Sequence, residues 1–126
     1  MAVILFCEDN ASIRKLISAA LRDSGHTILM AEDGAAGLAM ARARRPDLLV
    51  SDLAMPELNG LELHAAVRAD PALANIKIAF LTASTQQGLM SRARMLDVEA
   101  LMTKPFSPKD LRQRLEQILA GPGARA

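Results

Sequence analysis

Short apolar segments alternate with longer amphipathic segments along the chain. The short segments are apolar throughout or rich in β-branched residues and predict strands, whereas the longer ones repeat apolar residues every three to four positions and predict helices. The predicted strands are Val3 to Phe6, Thr27 to Ala31, Leu48 to Val50, Ile76 to Leu81 and Ala100 to Thr103. A helical pattern follows each of them, so the predicted order is five strand–helix pairs.

The first and last predicted helices are amphipathic. The apolar face of the first contains Ile13, Leu16, Ile17, Ala20 and Leu21, and that of the last contains Leu111, Leu115, Ile118 and Leu119. Ser107 is a favourable N-cap residue and Pro108 a favourable first helical residue, so the last helix is predicted to begin there.

Alternation of strands and helices is typical of the α/β class, in which helices cover both faces of a mostly parallel sheet. This arrangement explains why the segments VILF and LLV are apolar at every position. A single domain is predicted over residues 1–119. Residues 120–126, which include Gly121, Pro122 and Gly123, are predicted to form a short disordered tail.

Composition excludes several classes of protein. The chain has 126 residues, 51% hydrophobic and 23% charged, with no apolar run near the roughly 20 residues that cross a bilayer. No basic segment precedes the first apolar run, so no secretory signal is predicted and a cytoplasmic location is expected. The net charge of +1 predicts no direct binding to nucleic acid or to a membrane. Cys7 is the only cysteine, and its apolar neighbours predict a buried, unreactive thiol.

Polar residues occur where the predicted strands end. Glu8 and Asp9 follow the first strand, Asp52 follows the third, and Thr82 and Lys104 stand at the ends of the fourth and fifth. Open α/β sheets bind ligands at the carboxyl ends of their strands. If the first and third strands are neighbours, three carboxylates lie close together, and their repulsion favours a bound divalent cation. Oxygen ligands with no nearby histidine favour Mg²⁺.

Lys104 and Thr82 complement this acidic group. Together with Mg²⁺, a lysine ammonium and a hydroxyl donor would surround an anion placed on Asp52. Phosphoryl transfer requires such an arrangement, because its catalysis consists largely of positioning and charge neutralisation. Asp52 is therefore predicted to be a nucleophile that forms an aspartyl phosphate.

Four motifs carry a resemblance to a known family: the acid pair in LFCEDN, the phosphoacceptor in LLVSDLAMPELNG, the hydroxyl in AFLTA and the lysine in MTKPF. From about Val3 to Leu119 the chain resembles the receiver domain of bacterial two-component response regulators. The resemblance implies a flavodoxin-like (βα)5 fold, doubly wound, with a five-stranded parallel sheet in the order 2-1-3-4-5. A stand-alone receiver without an effector domain is expected.

The resemblance also implies a function. Asp52 would accept a phosphoryl group from a histidine kinase or a histidine phosphotransfer protein, and the protein would catalyse only its own phosphorylation and dephosphorylation. The side chains of Asp9 and Asp52 and the backbone carbonyl of Ala54 would ligate Mg²⁺, while Glu8 would hold a metal-bound water. Lys104 would bind the phosphoryl oxygens.

Further implied features concern the switch. Thr82 would bind the phosphoryl group with Lys104, and a cis peptide bond would join Lys104 to Pro105. Leu101 stands where the family usually has an inward-turning aromatic residue, and leucine offers neither a hydroxyl nor a stacking face.

Two other departures from the family pattern affect the site and the turn after the fourth helix. Asp97 and Val98 replace the usual Gly-Ala, and aspartate tolerates a left-handed conformation less well than glycine, so this turn is expected to differ. The positions that tune dephosphorylation in the family are Ala54 and Ser84, both small, which predicts an intermediate phosphate lifetime.

The implied output surface consists of the fourth helix, the fifth strand and the fifth helix, and would bind a downstream target protein or form a weak homodimer. Its residues would be Leu89, Arg92, Ala93, Leu96, Leu101 and Lys109. The kinase or phosphotransfer protein would dock on the first helix near Ser12, Ile13 and Lys15. His26 and His64 are predicted to be surface residues rather than metal ligands.

Three alternatives share part of this pattern. A haloacid-dehalogenase-like phosphatase also uses an aspartyl nucleophile, but it carries a second aspartate at the position of Ala54. A flavin binder of the same architecture would need a glycine-rich or Ser/Thr-rich phosphate loop after the first strand. A receiver-fold interaction module that works without phosphorylation is the third alternative.

Overall fold

A five-stranded parallel sheet forms the centre of the protein, described by a computed structural model over residues 1–83 and 87–121. The strands are β1 (Val3–Cys7), β2 (Thr27–Ala31), β3 (Leu48–Ser51), β4 (Lys77–Thr82) and β5 (Ala100–Thr103). They pair in the order β2-β1-β3-β4-β5, and every pairing is parallel. The predicted fold class and strand order are confirmed.

Five helices alternate with the strands in the described part of the chain. They are α1 (Ala11–Ala20), α2 (Gly34–Arg44), α3 (Gly60–Ala69), α4 (Gln87–Arg94) and α5 (Pro108–Ala120). Asn10, Asp33, Asn59 and Ser107 cap α1, α2, α3 and α5 by accepting a backbone N–H of the first turn. The predicted start of α5 is confirmed. Within residues 1–83 and 87–121, no helix is both long and apolar enough to cross a membrane.

Two buried clusters lie on opposite faces of the sheet. In β1, Ile4 and Phe6 belong to one cluster and Leu5 and Cys7 to the other, because successive strand side chains point to opposite faces. Residues of α1 and α5 complete the first cluster, and residues of α2, α3 and α4 complete the second. Both faces of the central strands are therefore covered, which accounts for their continuous apolar sequence.

The buried face of α1 is narrower than its sequence pattern predicted. Ile17, Ala20 and Leu21 are buried and Ile13 packs against them, but Leu16 is 54% exposed. The expectation for Leu16 is wrong. Neighbouring helical residues point about 100° apart, so Leu16 lies beyond the stripe that α1 turns toward the sheet.

Cys7 is buried, as predicted, and is 1% exposed. Burial, with a contribution from the charge of Asp33, raises the pKa of the Cys7 thiol to about 12. The thiol therefore stays protonated at neutral pH, where a reactive cysteine needs a thiolate. Its Sγ fills the space beside Gly37, where a Cβ atom would lie 2.2 Å from the sulfur.

The described residues end just after α5. The helix extends to Ala120, and Gly121 is its C-cap residue. Ala120, which was predicted to begin the tail, is therefore the last residue of the helix. Residues 122–126 lie outside the described residues, so the disorder expected for them stays a prediction.

Candidate functional site

Three acidic side chains meet at the carboxyl ends of β1 and β3. Glu8 and Asp9 follow β1 and Asp52 follows β3, and these neighbouring strands pair Cys7 with Ser51. The N–H of Asp52 donates to the Cys7 carbonyl at 3.1 Å, which extends the pairing by one residue. One carboxylate oxygen from each acid lies within 4.8 Å of the other two. The sheet thus brings the predicted acids together.

The acids differ in burial. Glu8 and Asp52 are 3% and 8% exposed, whereas Asp9 is open to solvent. Burial raises the pKa of Glu8 above its ordinary value, although hydrogen bonds from Lys104 and from the N–H of Asn10 act in the opposite direction. Two buried carboxylates at this separation need a compensating cation.

Lys104 supplies a positive charge to both buried acids. Its Nζ donates to Asp52 Oδ2 at 2.9 Å and to Glu8 Oε1, and its side chain is 10% exposed. Burial lowers the pKa of Lys104, but the hydrogen bonds to Glu8 and Asp52 outweigh burial and raise this pKa above its ordinary value. The ammonium therefore stays charged and neutralises part of the acid cluster.

The other oxygen of Asp52 faces the backbone of the loop that follows it. Oδ1 accepts the N–H of Leu53 at 2.7 Å and that of Ala54 at 3.4 Å. The N–H of Gly60 donates to the Leu53 carbonyl at 2.9 Å and fixes the loop against the start of α3. Hydrogen-bond donors therefore flank both oxygens of Asp52.

Thr82 and Lys104 come from the neighbouring strands β4 and β5. Thr82 pairs with Thr103, and its carbonyl accepts the N–H of Lys104 at 3.0 Å. Thr82 is 1% exposed. The peptide bond between Lys104 and Pro105 is cis, as the resemblance implied. The predicted pocket residues thus lie at one edge of the sheet.

The arrangement has two chemical capacities. A donor set of carboxylate oxygens suits a hard divalent cation such as Mg²⁺. The Lys104 ammonium and the N–H groups after Asp52 can stabilise negative charge on a group bonded to the Asp52 carboxylate.

Comparison with known proteins identifies the family. The response regulator receiver domain matches residues 4–116. This chain belongs to the response regulator receiver family. It is 34% identical over 116 residues to the chemotaxis protein CheY of Pseudomonas aeruginosa, which covers 91% of this chain and 94% of CheY. The resemblance inferred from the four motifs is confirmed.

Relatives of this receiver differ in length. The chain is 34% identical over 122 residues to the phosphate regulon transcriptional regulatory protein PhoB of Pseudomonas aeruginosa, which covers 95% of this chain and 53% of PhoB. The chain therefore spans about half the length of PhoB but nearly all of CheY.

A solved receiver structure has the same fold. It is the receiver domain of the sensor histidine kinase PA1611 from Pseudomonas aeruginosa, with a magnesium ion coordinated in its active-site cleft. The two structures align with a TM-score of 0.86 at 27% identity, over 95% of this chain and 98% of that chain.

The prediction that His26 and His64 are surface residues is wrong for His64, which is buried, whereas His26 is partly buried. His64 is 7% exposed, and its Nε2 lies 2.8 Å from Asp97 Oδ1. The side chain of His26 is 11% exposed; its Nδ1 accepts the N–H of Ala2 at 3.0 Å, and its Nε2 lies 3.1 Å from the Glu116 carboxylate. Each ring is fixed by a partner distant in sequence, so a local pattern could not reveal its burial.

Asp97, which replaces the usual glycine, forms a cluster with His64 and Arg68. The described non-glycine residues with positive φ are Arg45 and Glu57, so Asp97 does not adopt the left-handed conformation. Its carboxylate lies 2.8 Å from His64 Nε2 and 3.3 Å from Arg68 Nε. Side chains of α3 therefore hold the turn after α4.

The predicted output surface needs correction. The apolar residues expected there are buried or partly buried: Leu89, Ala93, Leu96 and Leu101. Ala93 is 0% exposed, and the three leucines pack against the core. Arg92 and Lys109 are exposed, and Met95 is 85% exposed. Basic side chains and Met95 therefore supply more of this surface than the sequence suggested.

The residues expected to control switching and phosphate lifetime lie in different surroundings. Leu101 pairs with Phe80 across β4 and β5. It is partly buried and packs against the buried cluster that contains Phe80. Ala54 is exposed beside Asp52. Ser84 lies outside the described residues. The expectations for the switch and for the phosphate lifetime stay predictions.

Sequence reasoning missed Asn10 and Arg14, which contact the acid pair. The N–H of Asn10 donates to Glu8 Oε2 at 3.1 Å, and its side chain caps α1. Arg14 Nη1 donates to the Glu8 carbonyl at 2.8 Å. The preference of asparagine for N-cap positions could have identified Asn10. No sequence pattern indicates a contact between an arginine and a backbone carbonyl.

Gly60 lies against the backbone that carries Asp52. A Cβ atom at this position would lie 2.4 Å from the Asp52 carbonyl oxygen and 2.9 Å from Leu53 Cα. We expect Gly60→Ala to lower the free energy of unfolding by about 2 kcal/mol, because backbone atoms must move to accommodate the methyl group. Urea denaturation would measure this loss. Gly88→Ala is the control, because its added Cβ would meet no described atom within 4 Å. Equal free energies of unfolding for the two variants would contradict the prediction.

Proposed function

We propose that this receiver accepts a phosphoryl group on Asp52, in a Mg²⁺-dependent reaction, from the phosphohistidine of a histidine kinase or a histidine phosphotransfer protein. The observation that carries the proposal is the environment of the Asp52 carboxylate. One oxygen faces the N–H groups of Leu53 and Ala54, and the other faces Lys104 Nζ. These donors are suited to hold the oxygens of a phosphoryl group bonded to Asp52.

The acid cluster fits Mg²⁺ because its donors are oxygen atoms. The side chains of Asp9 and Asp52 and the backbone carbonyl of Ala54 would be the protein ligands, and Glu8 would hold a metal-bound water. The magnesium in the active-site cleft of the PA1611 receiver supports the choice of Mg²⁺ as the ion. When bound, Mg²⁺ would neutralise charge on the acids and on the phosphoryl group.

In the transfer step, one carboxylate oxygen of Asp52 attacks the phosphorus atom of the donor. A P–O bond forms as the P–N bond to the donor histidine breaks, and the bonding electron pair returns to the imidazole. Lys104 exchanges its hydrogen bond to Glu8 for one to a phosphoryl oxygen, and the Thr82 hydroxyl binds another oxygen. The chemistry is limited to phosphorylation of this protein and hydrolysis of its own phosphate, so the receiver is not an enzyme for other substrates.

Partners would bind on two sides of the molecule. The kinase or phosphotransfer protein would dock on α1 near Ser12, Ile13 and Lys15, because α1 begins two residues after the acid pair. A downstream target protein would bind the face made by α4, β5 and α5, since β5 leads directly to Lys104. The receiver would act as a monomer or a weak homodimer in the cytoplasm.

Intact mass spectrometry after incubation with acetyl phosphate tests the phosphorylation. The wild type is expected to gain one phosphoryl adduct in the presence of Mg²⁺ and none in its absence, and Asp52→Asn is expected to gain none. Asp33→Asn is the matched control, because asparagine caps a helix as well as aspartate and Asp33 lies outside the acid cluster.

Two results would overturn the proposal. One is an adduct that persists in Asp52→Asn. The other is a wild type that stays unmodified at saturating Mg²⁺, which would favour the interaction module that works without phosphorylation.

A further inference from the structure

Arg14 holds the peptide group that joins the two acids after β1. Its Nη1 donates to the Glu8 carbonyl at 2.8 Å, and its side chain is 20% exposed. That carbonyl belongs to the planar peptide between Glu8 and Asp9, so its orientation sets the direction in which Asp9 leaves the main chain. Arg14 therefore acts on Asp9 through the backbone.

Asp9 depends on its backbone for orientation. Its side chain is exposed, and it has no hydrogen bond or ion pair with residues 1–83 or 87–121. The N–H of Glu8 donates to the Ala31 carbonyl at 3.0 Å, which fixes one side of the segment, and Asn10 caps α1 on the other. The contact from Arg14 fixes the peptide between these two points.

The hydrogen bond from Arg14 Nη1 does not involve a carboxylate of the site; Nη2 lies 3.5 Å from Glu32 Oε1, whose side chain is 80% exposed. Lys104 donates to the Glu8 and Asp52 carboxylates, and it must give up part of this contact when a divalent cation or a phosphoryl group arrives. Within the site Arg14 donates to the Glu8 carbonyl and to neither of these carboxylates, so this hydrogen bond can persist in every state of the site. The segment would then keep its position while Lys104 moves.

We infer that Arg14 is a positioning residue for the divalent cation, which holds the Glu8–Asp9 peptide so that the Asp9 carboxylate points into the site. The inference rests on the proposed function for the identity of the ion as Mg²⁺. Mg²⁺ demands near-ideal octahedral geometry, so a small displacement of the Asp9 carboxylate would weaken the binding of Mg²⁺. Outer residues that orient metal ligands typically change metal affinity by about 10-fold to 100-fold.

The charge of Arg14 and its positioning role would change the affinity for Mg²⁺ in opposite directions. A guanidinium close to the acid cluster repels Mg²⁺, so its removal should tighten binding if charge alone matters. If Arg14 positions Asp9, its removal should weaken binding. The sign of the change in affinity therefore separates the two roles.

Isothermal titration of the full chain with Mg²⁺ provides the test. We expect Arg14→Ala to raise the dissociation constant for Mg²⁺ about tenfold, and Arg14→Lys, which keeps a donor, to restore part of the loss. Arg112→Ala is the matched control, because Arg112 Nη2 also donates to a carbonyl, that of Asp23 at 2.9 Å, away from the acids. Phosphorylation of Arg14→Ala by acetyl phosphate is expected to approach the wild-type rate at saturating Mg²⁺, since the defect lies in metal binding.

Each outcome bears on a different claim. An Arg14→Ala protein with unchanged or tighter Mg²⁺ binding would overturn the inference, as would equal losses in Arg14→Ala and Arg112→Ala. A wild type that binds Mg²⁺ but gains no phosphoryl adduct would overturn the proposed function and leave the test of Arg14 intact. A wild type that binds no Mg²⁺ would overturn both. Arg14→Lys supplies the comparison if Arg14→Ala fails to fold.

Discussion

Replacement of Lys104 by methionine is expected to lower the free energy of unfolding by about 3 kcal/mol when no divalent cation is present. Methionine removes the ammonium that donates to both Glu8 Oε1 and Asp52 Oδ2. Glu8 and Asp52, which are 3% and 8% exposed, would then repel each other without a compensating charge. A lysine in an exposed ion pair would contribute far less to the free energy of unfolding, because water screens the charges of such a pair.

The same substitution is expected to tighten Mg²⁺ binding by about tenfold, which corresponds to roughly 1.4 kcal/mol. In the wild type the ion must displace a like charge from the acids, whereas in Lys104→Met that competitor is gone. The variant should therefore lose stability in the presence of a chelator and regain more than the wild type as Mg²⁺ is added.

Thermal unfolding over a range of Mg²⁺ concentrations measures both effects. Lys109→Met is the matched control, because Lys109 is exposed at the start of α5, and it should behave as the wild type does. Two results would contradict the role assigned to Lys104: wild-type stability of Lys104→Met without metal, or weaker Mg²⁺ binding by this variant.

Replacement of Arg68 by methionine is also expected to lower the free energy of unfolding by about 3 kcal/mol. Arg68 Nη1 donates to the carbonyls of Ala74 at 2.9 Å and Ile76 at 2.7 Å, and Nη2 donates to that of Asp97 at 3.3 Å. Its side chain is 9% exposed, so these carbonyls would lose a partner that water cannot readily replace. The Asp97 carboxylate, 3.3 Å from Nε, would lose a nearby positive charge as well.

Arg42→Met is the matched control for Arg68→Met. Arg42 Nε lies 3.4 Å from Asp70 Oδ2, but the side chain is 58% exposed, so its loss should cost at most about 0.5 kcal/mol. Urea denaturation of both variants compares the two arginines directly. If both substitutions lowered the free energy of unfolding by the same small amount, the buried contacts of Arg68 would stabilise the protein no more than a surface ion pair does.

The central strands and the acid site could be predicted from the sequence because each follows from a local pattern. Strand β3 is apolar at positions 48–50 because both of its faces are covered, and Asp52 follows it closely. Parallel strands end at the same edge of a sheet, so the residues after them meet whatever their side chains are. Strand ends, together with the strand order that the resemblance implied, were therefore enough to assemble Glu8, Asp9, Asp52, Thr82 and Lys104.

The contacts of Arg68 and the extent of burial on the helices could not be predicted in the same way. Arg68 and Asp97 are 29 residues apart, and an arginine on an amphipathic helix normally extends into water. Helical periodicity gives the direction of an apolar face but not its width. Leu16 is consequently exposed where burial was expected, and Ala93 is buried where exposure was expected.

Gly37 and Cys7 constrain the order in which substitutions can accumulate in descendants of this sequence. A Cβ atom at position 37 would lie 2.2 Å from Cys7 Sγ, so the two positions share one volume. Alanine becomes acceptable at position 37 once position 7 holds a smaller side chain, whereas the reverse order passes through a clashing intermediate. Sequences that diverge from this one should therefore lose the sulfur before they gain the methyl group, and the two positions should vary together.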